Sequence, residues 1–309
     1  MKRIAAAAAA ALLTLCIGGA NAQQVDYSKV EIKTTDLGHQ TYMLEGQGGN
    51  ITVAVGGDGI IMVDSQFAPL HDKIKAAITA ISNRPIHYLV NTHFHGDHTG
   101  GDAGFAKEGA TVVAHANVKK RLADGSTNGL SGAKTAPMTG DALPSQTYNT
   151  SLTLKVQGRS AQLKHVLNAH TDGDTYVYFA DANVLATGDI VTMERYPNID
   201  FANGGNIKGM IAGTDTYLKL INDKTKVVPG HGPLTNKAQI VEYRKMLVAA
   251  RDRVAKLIAK GMNEDEVVAM RPMSDYDAKL TKIDDTAKVN FIRVVYNSLK
   301  PSGMKAASR

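Results

Sequence analysis

The sequence predicts a layered α/β protein in which two β-sheets are covered by helices. Short apolar runs bounded by glycine-rich turns recur in both halves of the 309-residue chain, stretches with helical periodicity separate them, and one long amphipathic stretch follows the second half. The apolar content of 43% and the charged content of 21% are ordinary for a globular protein, so the chain can bury a sizeable core.

Strands and short helices alternate in the first half. The Asp58-Gly59 pair between two apolar runs is typical of a tight hairpin turn. Strands are predicted at residues 30–33, 40–45, 50–55, 60–63, 86–90 and 111–114, and helices at 69–82, at 101–107 and from 115 to about 122. Residues 124–144 are rich in Gly, Ser, Thr and Pro, which predicts a long surface loop.

The second half repeats the strand-rich pattern and ends in helices. Strands are predicted at residues 151–156, 161–167, 176–180, 183–186 and 226–228, and helices at 206–220 and 238–260. Gly261 supplies the stop of the long helix. One or two further helices are expected in residues 263–309.

The N-terminus has the three parts of an export signal. Lys2 and Arg3 form a positive start, an Ala/Leu-rich apolar stretch follows, and Ala20-Asn21-Ala22 matches a cleavage site. We therefore expect a signal peptide at residues 1–22, a main domain at 23–260 and a C-terminal helical extension at 261–309. This predicts a periplasmic or secreted protein with no stable membrane insertion after cleavage; a retained membrane anchor is the alternative.

Composition excludes several classes of function. Cys16 is the only cysteine and lies in the predicted signal, so the mature chain would have neither a disulfide nor a catalytic thiolate. Removal of Lys2 and Arg3 would lower the formal charge from +6 to +4. The lysines are scattered and form no basic stripe with interleaved aromatic residues, so nucleic acid is not an expected partner.

One six-residue stretch is dense in metal-ligand side chains. His93, His95, Asp97 and His98 directly follow an apolar run and precede a glycine-rich turn. Imidazole with a neighbouring carboxylate suits a hydrolytic zinc or iron site, and a loop at the end of a buried strand is a common position for catalytic groups. A solvated His-rich loop is the alternative that the stretch alone leaves open.

Three later polar residues, His170, Asp189 and His231, each follow a hydrophobic run beside or near a glycine. If their strands lie in adjacent sheets, the strand ends converge on one edge. Each residue alone could equally cap a turn. Asp64 could either support the metal loop from outside or cap a strand end. For Asp172 and Asp174 a turn-forming role is expected ahead of a hydrogen bond to a ligand imidazole.

The complete pattern resembles the metallo-β-lactamase-fold hydrolases. Its H-x-H-x-D-H motif is present as residues 93–98, and His170, Gly188-Asp189 and Pro229-Gly230-His231-Gly232 match the later motifs in order and spacing. The resemblance implies a four-layer αββα sandwich with a dinuclear site at the edge between its sheets.

The resemblance also implies a ligand set. His93, His95 and His170 would hold the first metal, Asp97, His98 and His231 the second, and Asp189 would lie at or bridge the second site. Two zinc ions are expected, with iron or manganese as alternatives because Asp189 makes the second site entirely nitrogen and oxygen. In this family a metal-bound hydroxide attacks a carbonyl carbon, and Asp97 would orient it.

The layout is most similar to the di-zinc β-lactamases that carry a cysteine ligand, with two departures. Asp189 replaces that cysteine, and Thr192 replaces the lysine that pairs with the drug's carboxylate, a contact worth about 1.5–3 kcal/mol. Arg195 or Lys208 could substitute. Asn206 lies in the loop where that subclass has an asparagine that helps to position the carbonyl.

A small-molecule substrate is therefore expected, with a cyclic amide (β-lactam) first. A lactonase or a glyoxalase-II-like thioesterase is the alternative of the same fold. A non-enzymatic metal-binding accessory of a periplasmic quinoprotein or redox system is the third hypothesis.

Overall fold

A computed structural model describes residues 25–300. The predicted signal peptide lies outside the described residues, as do residues 301–309. Within the described range, no helix combines the length and the apolar character that crossing a membrane requires.

The strands of the described residues are β1 (Lys33–Gly38), β2 (Thr41–Glu45), β3 (Ile51–Val55), β4 (Ile60–Val63), β5 (Ile86–Val90), β6 (Thr111–His115), β7 (Ser126–Thr127), β8 (Lys134–Thr135), β9 (Gln146–Tyr148), β10 (Ser151–Val156), β11 (Arg159–His165), β12 (Thr175–Phe179), β13 (Val184–Ala186) and β14 (Lys226–Val228). The α-helices are α1 (His71–Ile81), α2 (Gly96–Thr99), α3 (Asp102–Lys107), α4 (Ala116–Asp124), α5 (Ile207–Leu220), α6 (Lys237–Ala259), α7 (Glu264–Ala269), α8 (Ser274–Asp277) and α9 (Asp285–Leu299).

Two main sheets contain twelve of these strands. The first has the order β1-β2-β3-β4-β5-β6-β9, and the second has the order β10-β11-β12-β13-β14. In the first sheet β4, β5, β6 and β9 run parallel, and in the second sheet β13 and β14 do. Strands β3 and β4 are buried along their whole length, as expected for strands covered on both faces.

Three apolar layers hold the body together. The middle layer joins the facing sides of the two sheets, with Ala54 and Val63 from the first and Leu163 and Val177 from the second. An outer layer packs α1 and α3 on the first sheet. The other outer layer packs α5, α6 and α9 on the second sheet. The predicted αββα sandwich is therefore confirmed.

Several local predictions need correction. The first strand begins at Lys33 instead of spanning residues 30–33. The loop at 124–144 contains the short β7-β8 hairpin, and β9 was not predicted because three residues at a sheet edge carry no apolar run. Three helices, not one or two, follow α6 among the described residues, and Phe291 of α9 stacks on Tyr196 with ring centroids 4.3 Å apart.

Candidate metal centre

Four loops meet at one edge of the sandwich. The His93–His98 stretch follows β5, Asp189 follows β13, and His231 follows β14. His170 lies in the loop between β11 and β12, five residues before β12 begins, and not directly at a strand end as predicted. Because the edge gathers residues more than a hundred positions apart, its geometry is a tertiary property.

One group consists of three histidines. His93, His95 and His170 each offer a ring nitrogen, and these atoms lie within 4.8 Å of one another. Nε2 of His170 is 3.0 Å from Nδ1 of His95. Nε2 of His93 is buried and has no hydrogen-bond partner among the described residues. Two ring nitrogens are thus in direct contact with each other, and a ring of the third histidine has a buried nitrogen without such a partner; a shared cation would satisfy all three.

A second group combines Asp97, His98 and His231, again within 4.8 Å. Oδ2 of Asp97 is 3.1 Å from Nε2 of His231, and Nε2 of His98 is 3.3 Å from that same nitrogen.

Asp189 lies between the two groups. Its Oδ1 is 3.1 Å from Nε2 of His98, and its Oδ2 is 3.3 Å from Nε2 of His231 and 3.8 Å from Nε2 of His170. His93, His98 and Asp189 form a further set within 4.8 Å, so the two groups are continuous. The seven residues predicted as metal ligands are thus all at one place.

The outward-facing ring nitrogens are held by other groups. His98 donates through Nδ1 to Oδ2 of Asp64 at 2.8 Å, and His95 donates through Nε2 to Oδ2 of Asp200 at 3.0 Å. His170 donates through Nδ1 to the Asn198 carbonyl at 2.9 Å. Such bonds set the tautomer and aim the other nitrogen inward, which is the usual arrangement around a metal-binding histidine.

Burial and charge divide the site into two electrostatic halves. Burial lowers the pKa of His93 well below its usual value, and burial together with His95 lowers the pKa of His170 to about 4. These imidazoles are therefore neutral, as metal ligands must be. Burial alone would lower the pKa of His231, but Asp189 and Asp97 outweigh it and raise that pKa to about 9. The half with the carboxylates therefore favours a positive charge.

The donor set fits divalent metal ions of borderline hardness. It contains imidazole nitrogens and carboxylate oxygens and no thiolate, which suits zinc and leaves iron and manganese as alternatives. Because the site is buried, carboxylates and imidazoles without a cation would be costly to hold together. The residues present therefore fit a divalent metal.

Close backbone approach makes two glycines necessary here. A Cβ on Gly49 would lie 2.1 Å from Cε1 of His98, and a Cβ on Gly230 would lie 2.0 Å from Oδ1 of Asp189. Asn50 ties these two loops together, because its Nδ2 donates to the Pro229 carbonyl at 2.9 Å and to the Gly232 carbonyl at 2.8 Å. Any side chain at either glycine would displace a predicted ligand.

Asn206 does not contact this cluster. Its Oδ1 accepts a hydrogen bond from the Lys208 backbone N–H at 2.8 Å, and its Nδ2 donates to the Ser298 carbonyl at 2.6 Å. Both ends of the amide are therefore occupied at the start of α5. The contacts of Asn206 are therefore those of a helix cap, and its expected role in positioning a substrate carbonyl stays a prediction that a turnover assay decides.

The other acidic alternatives are now resolved by their contacts. Asp64 accepts from His98 and also from the Thr92 backbone N–H at 2.7 Å, so it supports the metal loop from outside. Asp174 accepts from the backbone N–H groups of His170 and Thr171, which is the turn-forming role. Asp172 pairs with Arg121 at 2.7 Å and contacts no ligand imidazole.

Sequence reasoning missed two residues at this site. Asp200 holds His95, and Asn50 holds the His231 loop. Neither follows an apolar run within a recognisable motif, and both act across long sequence separations. No local signal could have found them.

A helix-covered pair of sheets with histidine and aspartate ligands gathered at one edge defines a metal-binding α/β sandwich. The chain belongs to the metallo-beta-lactamase superfamily, whose family model matches residues 44–233. The resemblance predicted from the motifs is therefore confirmed. Members of this superfamily are metal-dependent hydrolases, which gives the class of chemistry but not the substrate.

Curated relatives match this chain at low identity. The chain is 22% identical over 285 residues to a linear primary-alkylsulfatase of Pseudomonas sp., covering 79% of this chain and 52% of that protein. It is 26% identical over 183 residues to a hydroxyacylglutathione hydrolase of Polaromonas sp., covering 57% of this chain and 60% of that protein. The chain thus spans little more than half the length of these relatives.

Solved structures share the fold at low identity. A metallo-beta-lactamase from Pontibacter korlensis superposes with a TM-score of 0.58 at 17% identity, covering 70% of this chain and 99% of that one. The sec-alkylsulfatase Pisa1 from Pseudomonas sp. gives a TM-score of 0.63 at 19% identity, covering 86% and 50%. These likenesses concern the architecture alone.

Proposed function

We propose that the chain is a periplasmic hydrolase that uses two divalent metal ions to cleave a small carbonyl compound. The observation that carries this proposal is the position of Asp189, whose two carboxylate oxygens face ligand histidines of both groups at 3.1–3.8 Å. A carboxylate within reach of both groups supports a pair of ions more than a single one.

We place esters, either lactones or thioesters, ahead of β-lactams as substrates. The ligand set contains no sulfur, as in the lactonase and thioesterase branches of the family, whereas the β-lactamases of similar layout have a cysteine ligand. Thr192, where a lysine would pair with a β-lactam's carboxylate, is only 3% exposed and forms a bridge to His231. The likeness to a hydroxyacylglutathione hydrolase supports the thioester class. The cyclic amide becomes the second candidate.

Divalent metals in such a site supply Lewis acidity to the substrate carbonyl. The side chain of Asp97 is 29% exposed, against 10% for Asp189 and 0% for His98, so Asp97 is the carboxylate that solvent and substrate reach. It is therefore positioned to orient an attacking water and to accept its proton. Asp64 and Asp200 keep their histidines aimed inward while this happens.

A substrate panel with metal analysis tests the function. The mature chain from Gln23, loaded with zinc, is assayed with an acyl-homoserine lactone, S-lactoylglutathione, a set of β-lactams and an alkyl sulfate. We expect two metals per chain and turnover of the lactone or the thioester. Asp97→Ala should lower that turnover at least a hundredfold, about what loss of a general base costs. Asp36→Ala, which removes an exposed carboxylate distant from Asp97 in sequence, should leave the turnover unchanged.

Other results would redirect the proposal. Cleavage of β-lactams alone would put the second candidate first. Cleavage of the alkyl sulfate alone would transfer the chemistry of the Pseudomonas relative to this chain. Two bound metals with no hydrolysis of any compound, together with a stable partner in pull-downs, would favour the accessory role over an enzyme.

The proposed location has a separate test. The full chain expressed in a Gram-negative host should be recovered from the periplasmic fraction with Gln23 as its first residue. Recovery of an uncleaved chain in the membrane fraction would contradict it in favour of the retained anchor.

A further inference from the structure

A cavity lies beside the metal centre and is not needed by the proposed chemistry. It has a volume of about 300 Å³ and lies between the first turns of α6, the 192–195 segment and the residues after α8. Its walls are largely apolar, with Met193, Met246, Tyr276 and Leu280 among them. This volume is at the lower end of the range for small-molecule sites.

One cationic side chain at this cavity has a donor that is not used. Nε of Arg195 is buried and makes no hydrogen bond among the described residues. Burial raises the pKa of Tyr243, while hydrogen bonding with Thr192 opposes that shift, so these two lining groups partner each other. Arg195 is therefore the group at this cavity to which an anion would bind.

The charges around the cavity favour an anion. Its two carboxylates are already paired, Glu194 with Lys282 at 2.7 Å and Glu242 with Lys245 at 2.6 Å. Arg195 forms no ion pair within residues 25–300, and neither does Lys279, another of the lining residues. Two cationic side chains without an ion pair in that range, beside apolar walls and carboxylates that are already paired, are complementary to a molecule with one negative group and an apolar body.

We propose that this cavity binds an amphipathic carboxylate, with a straight apolar chain against Met246 and Leu280 and its carboxylate on Arg195. The site is distinct from the metal ligands but connected to them. Met193 donates its backbone N–H to the His231 carbonyl at 2.8 Å, and a Cβ on Gly232 would lie 2.8 Å from the Met193 carbonyl oxygen. An occupant therefore rests against the segment that holds one predicted ligand.

Calorimetric titration of the mature chain with decanoate tests the site. We expect saturable binding of one decanoate per chain. Both 1-decanol, which has the tail without the charge, and butyrate, which has the charge with little tail, should bind at least about tenfold more weakly, as expected for the loss of a charge-assisted bond or of apolar burial.

Two variants locate the binding. Arg195→Met keeps an apolar stem, removes the charge and should weaken decanoate at least about tenfold, to the level of 1-decanol. Lys219→Met, an equal charge change at an exposed position of α5 outside the cavity, should leave the affinity unchanged. Leu280→Trp should fill the cavity and abolish binding. Because the natural chain has no tryptophan, the emission of the introduced indole also reports whether its surroundings are folded.

Binding elsewhere would overturn the proposal. If decanoate bound with unchanged affinity to both Arg195→Met and folded Leu280→Trp, its carboxylate would be attached to the metals or to another surface. Absence of saturable binding to the natural chain would overturn it as well. Neither result would bear on ester hydrolysis, so the cavity and the proposed function can fail independently.

Discussion

At the scale of single residues, the centre depends on acids that do not themselves belong to the ligand set. Asp64 is 1% exposed and accepts three hydrogen bonds, from the Thr92 backbone N–H, the Thr92 hydroxyl and Nδ1 of His98. Its φ of +62° shows that the chain adopts a costly backbone conformation to place it there. One side chain thus orients both the loop and a ligand.

Asp64→Asn should weaken metal binding without removing a ligand. The amide can still accept from Thr92, but its NH₂ group cannot accept the proton of His98. We expect a 10–100-fold loss of metal affinity, the usual effect of removing such a support, measured by competition with a chromophoric chelator. Asp36→Ala is the control, because its exposed carboxylate bonds only its own turn. An unchanged affinity would show that His98 needs no partner.

Asp102 makes stability depend on pH. Burial raises its pKa to about 8, against an ordinary 3.8, although Ser65 and Asn91 donate to it. The folded state then binds the proton more tightly than the unfolded state. The contribution to stability is complete below about pH 4 and is lost as the pH rises towards 8, by up to about 1.4 kcal/mol per pH unit.

Asp102→Asn should remove this dependence. The two proteins should unfold at similar urea concentrations near pH 4, and the variant should be the more stable of the two at pH 8. Urea unfolding followed by circular dichroism at several pH values gives the comparison. Parallel pH profiles for the two proteins would mean that Asp102 is ionised in the folded state.

At the scale of elements, loops that carry ligands are set by the ends of strands and helices. The N-terminus of α5 follows the loop that contains Asp200, and Asn206 caps it while also bonding the Ser298 carbonyl of α9. This cap therefore joins two helices, α5 and α9.

Asn206→Ala should act on stability and not on turnover. Loss of the cap costs about 1 kcal/mol, and the unpaired Ser298 carbonyl adds a similar amount. Asn236→Ala, at the cap of α6, should cost about 1 kcal/mol alone, since Asn236 caps a helix without a second bond of this kind. Turnover of the cleaved substrate should stay within about threefold of the natural chain. A hundredfold loss of turnover with unchanged stability would support the carbonyl-positioning role instead.

At the scale of the whole molecule, the metal centre joins the two sheets. The predicted ligands of each group come from loops of both sheets: His93, His95 and His98 from the first, and His170, Asp189 and His231 from the second. A metal held there crosslinks the two halves of the sandwich in the folded state only. Binding to the folded state alone stabilises a protein by mass action.

Metal removal should therefore lower the stability of the entire body. At a free metal concentration of 100 times the dissociation constant, each ion contributes about 2.7 kcal/mol, which chelation would remove. Thermal unfolding with and without a chelator measures the shift in Tm, and Asp189→Ala should reduce that shift because it removes the residue between the groups. An identical Tm in both conditions would exclude a metal that supports the fold.

The features that the sequence predicts correctly depend on local patterns, and those that it misses depend on contacts between residues distant in sequence. The helices α1, α5 and α6 and most central strands are predictable because apolar periodicity is local. The seven predicted ligands are recognisable because each motif is local, and the packing of the two sheets then brings them together. The three-residue β9 and the part played by Asn206 were not predicted, since each depends on a neighbour distant in sequence.

The sequence by itself determined the class of protein, the two-sheet architecture and the residues predicted as ligands, because ligand chemistry belongs to side chains and strand patterns repeat every second residue. Only the tertiary structure decided that Asp189 lies between the two groups, that Asp64 and Asp200 aim the histidines, and that Arg195 faces an apolar cavity. These relations join segments tens to more than a hundred residues apart, and packing of the two sheets brings them within hydrogen-bond distance.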